Sequence, residues 1–134
     1  MNYSAFLGEI MKSGVEITEQ GIRNDEIQDE TVIKLKELFP DCRSLTLRET
    51  GFKIREIINQ ILLKYNQKVV LDFDGIEIIT QGFGDEIVGV FVRKNGLDFV
   101  KNKIKVINAN NFIRGTLNWV VSYSKKMAQN NSSS

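Results

Sequence analysis

The chain has 134 residues, 42% of them apolar and 26% charged, with a net charge of +1; these values fit one globular domain and exclude a global attraction to polyanions. It holds no histidine and one cysteine, Cys42, which excludes histidine relays, histidine-based zinc sites, multi-cysteine cages and an internal disulfide. No apolar run reaches the roughly 18–20 residues of a membrane span.

In chain order, the opening Met1-Asn2-Tyr3-Ser4-Ala5-Phe6 lacks the basic flank and apolar core of a secretory leader, so a cytosolic location is expected. Phe6, Leu7, Ile10 and Met11 fall at helical spacing, with Ser4 as a cap and Gly14 as a stop. Val15-Glu16-Ile17-Thr18 then alternates like a short edge strand. Residues 1–30 are read as an N-terminal extension to a domain over residues 31–127. The extension carries seven acids and two bases, whereas residues 93–126 carry eight bases and one acid. That asymmetry gives either an acidic end and a basic end that could meet head to tail, or a solvated surface whose signs happen to segregate.

Thr31–Leu38 alternates as a half-buried strand, and Pro40-Asp41 breaks it. A long helix opens at Glu49 or Thr50, its apolar stripe formed by Ile54, Ile57, Ile58, Ile61, Leu62 and Tyr65. Val69–Phe73 is a continuous apolar run, as expected of a strand covered on both faces. Ile76, Ile78 and Ile79 lead to a turn at Thr80-Gln81-Gly82, after which Phe83, Ile87, Val90 and Phe91 recur at helical spacing up to Asn95-Gly96. Lys103–Ile107 supplies a third core strand, and Asn111 is placed as the cap of a last helix. Ile113, Leu117, Val120, Val121 and Met127 form the buried stripe of that helix, and residues 128–134 read as a disordered polar tail. Trp119 and Tyr123, one turn apart, are assigned to the core, with an exposed dimerisation patch as the alternative. This alternation of strands and helices predicts an α/β fold: a mostly parallel or mixed sheet of about four strands with helices packed against it.

Val70-Leu71-Asp72-Phe73-Asp74-Gly75-Ile76, followed by Ile79-Thr80-Gln81-Gly82-Phe83-Gly84-Asp85-Glu86-Ile87, resembles the STAS-like family of unknown function. Leu47-Arg48-Glu49 upstream, and Val106-Ile107-Asn108 with Asn111 downstream, extend the likeness over about residues 31–125. The wider STAS fold includes bacterial anti-sigma-factor antagonists, which bind a histidine-kinase-like ATPase and are released when a serine in Asp-Ser-Ser-Gly-Leu-Gly is phosphorylated. That signature falls on Ile79-Thr80-Gln81-Gly82-Phe83-Gly84, with Gln81 where the phosphorylated serine would stand. Glutamine cannot accept phosphate, which leaves Thr80 beside it as the fallback.

The resemblance implies a non-catalytic regulatory module. It would dock a protein partner, a kinase-like ATPase being the natural class, through Thr80, Gln81, Gly82, Phe83, Gly84, Asp85 and Glu86, with Asn108 and Asn111 nearby. No cofactor is implied. Each residue also has a plainer role. Asp85 and Glu86 suit the positive end of a helix dipole, Thr80 or Gln81 can cap that helix, and Gly82 and Phe83 can serve helix–sheet packing. Arg48, Arg55 and Arg114 are either solvated or available to acids of a partner.

Two alternatives stand beside this reading. An apolar strand ending in Asp72-Phe73-Asp74-Gly75 also resembles the first motif of haloacid-dehalogenase-type phosphatases, in which Asp72 would be the nucleophile, Asp74 the general acid, and both would hold magnesium. Such an enzyme needs a later lysine and a further acidic pair, for which the remaining sequence has little room; the plainer role of Asp72 is to stabilise the turn. The other alternative is a self-associating domain in which residues 1–30 add an oligomer contact. Nucleic acid is disfavoured because Lys101–Lys105 lacks interleaved stacking aromatics.

Overall fold

The computed structural model describes residues 30–132; the helix and edge strand expected before residue 30 lie outside the described residues. Strand β1 is Glu30–Lys34, with Thr31 and Ile33 buried. The strand was expected to reach Leu38, but Leu35–Leu38 is instead a helical turn, α1. Its partner explains the difference. β1 pairs in parallel with β3, Lys68–Asp72, from Glu30↔Lys68 to Lys34↔Asp72, so beyond Lys34 no ladder remains to hold an extended chain. Leu35 still reaches the core through the turn, where it is fully buried.

Strand β2, Ser44–Leu45, precedes α2, Arg48–Leu63. The expected stripe holds through the helix: Ile54, Ile57, Ile58, Ile61 and Leu62 are buried, while Tyr65 packs on the core from beyond its end. β3 lies in the middle of the main sheet, with Val69, Val70 and Leu71 all buried, as its unbroken apolar run predicts.

Strand β4 is Ile78–Ile79 and pairs in parallel with β2. Helix α3 follows over residues 81–95, in three pieces: Gln81–Gly84, a π-helical turn Asp85–Gly89, and Val90–Asn95. Gly96, at φ 92°, separates it from α4, Leu97–Lys103, a helix without a clear apolar period in its sequence. β5, Ile104–Ile107, completes the sheet beside β3. The last helix, α5, runs Asn111–Ser132, past residue 127 where the sequence reading ends the folded part. Once its early turns are fixed by packing, each added residue gains a hydrogen bond at little further cost, so polar residues can extend it.

The α/β expectation holds, with a correction to the sheet. In place of about four strands in one sheet there are, among the described residues, three parallel strands in the order β1-β3-β5 and a separate two-stranded sheet of β2 and β4. The core lies between the main sheet and helices α2, α3 and α5, around Leu71, Phe73, Ile79, Phe83, Ile87 and Ile113.

Candidate functional site

The residues singled out by sequence gather where β4 passes into α3. Thr80 holds the junction in two directions: its hydroxyl oxygen accepts the Phe83 N–H at 3.2 Å, capping α3, and its O–H donates to the Thr46 carbonyl at 2.9 Å beside β2. Phosphorylation there would remove the O–H that donates to Thr46, and the two bonds make Thr80 the residue that fixes the turn. Gln81 is exposed and Gly82 half-buried. A side chain at Gly82 would press on Arg48, whose Cγ lies 3.1 Å from an ideal Cβ, so the guanidinium lies close over the backbone of this turn.

Phe83 and Gly84, read as partner contacts, are buried. Phe83 is 0% exposed, and Gly84 is buried against Leu117 and Val120 of α5. A phenylalanine three residues after the cap points inward, where removing its ring from water stabilises the fold by roughly 2 kcal/mol or more. The packing role of Phe83 therefore prevails over the partner-contact role.

Asp85 and Glu86 also have partners within the chain. Arg93 grips Asp85 with both terminal nitrogens, Nη1 to Oδ1 at 2.6 Å and Nη2 to Oδ2 at 3.1 Å, and its Nη1 also donates to Ser124 Oγ at 2.9 Å. Arg48 Nη1 reaches Asp85 Oδ2 at 3.3 Å and Glu86 Oε1 at 3.5 Å, and Arg55 Nη1 stands 3.1 Å from Glu86 Oε2. That last contact is ionic only, for Glu86 Oε2 has no hydrogen-bond partner among the described residues. Burial pushes the Asp85 carboxyl pKa up, but hydrogen bonds and charge from Arg93 and Arg48 outweigh it and hold the group below its ordinary value. The hydrogen bond to Asp85 in turn raises Arg93. The network ties α2, α3 and α5 together and neutralises most of its own charge. Arg55, read as solvated or partner-facing, is only 18% exposed and serves Glu86; Arg48 is 62% exposed, as a solvated arginine would be, while reaching both acids. Arg93 was not foreseen.

At the neighbouring strand ends, Asp72 Oδ1 accepts the Asp74 N–H at 2.9 Å and the Asn108 side-chain amide at 3.0 Å. Asn108 adopts a left-handed backbone, φ 56°, which asparagine tolerates better than most residues. This is the turn-stabilising role of Asp72. The fit to a magnesium phosphatase is poor: no group of three or more acidic or cysteine side chains is placed to hold a metal ion among the described residues. Asn111 is exposed in the first turn of α5, but the cap is its neighbour, since Asn110 Oδ1 accepts the Ile113 N–H at 2.8 Å. The Asn110 amide also donates to the Glu77 carbonyl at 2.9 Å and moors α5 to the segment before β4.

Exposed apolar side chains surround this end of the molecule: Leu47 (62% exposed) before α2, Ile78 (43%) on β4 and Phe112 (57%) at the start of α5. Trp119 and Tyr123, assigned to the core from sequence, are instead about half exposed further along α5. Their position off the stripe of Ile113, Leu117 and Val120 is legible from helical spacing, but their aromatic character outweighed it. Among the described residues no helix is long and apolar enough to cross a membrane.

The family model described as a STAS-like domain of unknown function matches residues 50–113, which bears out the resemblance read from the Val70–Ile87 motifs. No curated protein and no solved structure matches the chain.

Proposed function

With the STAS-like match over residues 50–113 as premise, we propose that the chain is a non-catalytic, cytosolic regulatory module that docks a protein partner at the end where β4 meets α3. By resemblance the partner class is a histidine-kinase-like ATPase. The contact would be centred on Thr80, Gln81 and Gly82, with Asn108 and Asn111 beside it and Leu47, Ile78 and Phe112 as apolar anchors. Phe83, Gly84, Asp85 and Glu86 would stiffen that surface from behind rather than touch the partner.

One observation carries this reading. Three large apolar residues lie exposed around a polar turn whose backbone is already fixed by Thr80. Apolar patches rimmed by polar groups mark interaction sites, and a preformed backbone lowers the ordering cost of binding.

The test is titration calorimetry of the chain against a purified ATPase of that class. Leu47→Asp and Gln81→Arg, each with native circular dichroism, are expected to weaken binding at least about tenfold, which is roughly 1.4 kcal/mol. Binding at full strength by both variants would reject this surface. Magnesium-dependent release of phosphate from a phosphomonoester, lost in Asp72→Asn, would reject the non-catalytic reading as a whole.

A further inference from the structure

The last helix has a second, outward face. Trp119 and Tyr123 stack with ring centroids 5.2 Å apart and planes 7° from parallel, and the exposed Met127 continues the row. Positions four apart lie on one strip of a helix, and Ile113, Leu117, Val120 and Ser124 occupy the buried side. With Arg48, Gln81, Asp85 and Arg93, the strip borders a groove of about 460 Å³. An exposed stacked aromatic pair next to a groove leaves a contiguous apolar area in water. The charged residues lining the groove are Arg48, Arg93 and Asp85, and the end of α5 adds Lys125 and Lys126, with no acid anywhere on that helix.

We propose that this strip is covered by residues 1–29 of the same chain. Charge favours this occupant, because residues 1–29 hold six acids against two bases and would face a helix whose only charges are positive. Pattern favours it as well: Phe6, Leu7, Ile10 and Met11 form an apolar row able to meet Trp119, Tyr123 and Met127.

The point at which the chain joins the domain also fits. β1, β3 and β5 are parallel, so Glu30 lies at the end where all three strands begin. A second groove is lined by Ile104 and Val106 of β5 and by Arg114, Leu117 and Val121 of α5. Only residues 108–110 join β5 to α5 while both pack on the same core, so α5 turns back along β5, and Tyr123 and Met127 lie toward the end where the chain enters at Glu30. The 29 residues before Glu30, at roughly 3.3 Å per extended residue, reach well beyond the diameter of a domain of this size. The groove shares Gln81 with the β4–α3 surface, but Trp119, Tyr123 and Met127 lie on α5, so Leu47→Asp tests the docking surface and Trp119 fluorescence tests the strip, and either proposal can fail without the other.

Trp119 is the only tryptophan, so its fluorescence reads the strip directly in the full chain. The wild type is expected to be monomeric by light scattering, with short-wavelength emission that resists acrylamide. Ile10→Asp should shift emission to longer wavelength and raise the quenching constant severalfold; Lys125→Glu with Lys126→Glu should act in the same direction through charge alone. A wild-type indole as accessible to acrylamide as a free tryptophan derivative would overturn the proposal, whatever the variants do. So would unchanged emission in both variants. Protection that appears only at concentrations where the chain dimerises would also overturn it, assigning the strip to a second copy.

Discussion

Asp85 is held by two guanidinium groups while about a fifth of its side chain remains exposed, a setting between a surface ion pair and a buried one. Its native pKa lies below the unfolded value of 3.8. The unfolded chain therefore binds the proton more readily, and the pair's contribution is complete above 3.8 and lost as the pH falls through the lower native value. Arg93→Ala should cost about 2 kcal/mol at neutral pH, because Asp85 keeps only the more distant Arg48. In urea melts the gap to wild type should narrow as the pH falls below 3.8 and through the lower native value, where the carboxyl becomes protonated in the wild type as well; a gap that stays constant under acid would show that Arg93 acts by packing alone. Gly89 belongs to the same cluster. An ideal Cβ there would stand 2.8 Å from both Ser124 Oγ and Val120 Cγ1 and would also collide with Asp85. Gly89→Ala should therefore destabilise by about 2 kcal/mol through overpacking, despite the higher helix propensity of alanine; a gain in melting temperature would refute this close approach of α3 and α5.

Helix α3 shows why the Asp85–Arg93 pair is hidden from a periodic reading. In an ideal α-helix, residues eight apart differ by about 80° around the axis. The π turn Asp85–Gly89 inserts one extra residue, and so returns Arg93 to the side of Asp85. Propensity carries no mark of such a turn, whereas the regular stripe of α2 is visible residue by residue. β1 teaches a related lesson: the alternation to Leu38 is real, but strand length is set by β3, far away in sequence. The cap of α5 was misplaced by one position, since Asn110 and Asn111 are equivalent on composition and only the backbone tells which carbonyl oxygen faces Ile113. Asn110→Ala should cost about 1 kcal/mol in thermal unfolding and Asn111→Ala only a few tenths; the reverse order would restore Asn111 as the cap.

For the whole molecule, the β-turn-α junction was legible because Gly82, Gly84 and the flanking apolar runs punctuate it strongly, and the family match covers it. What the pattern could not convey was direction: Gln81 points to water and Phe83 to the core, although both sit in the same motif. The division into two sheets was equally hidden, because Ser44–Leu45 is too short to register as a strand. The parallel topology has a further bearing on how the chain comes to its final shape. Among the described residues every pairing in the main sheet joins distant stretches, Thr31 with Val69 and Leu71 with Val106, so none of these pairs forms as an early, cheap hairpin. During synthesis from the N-terminus, β1 emerges before its partner β3 and pairs with it only once α2 and β3 have left the ribosome. Its apolar residues Val32 and Ile33 are then exposed to other nascent chains, and the sheet closes only when β5 arrives.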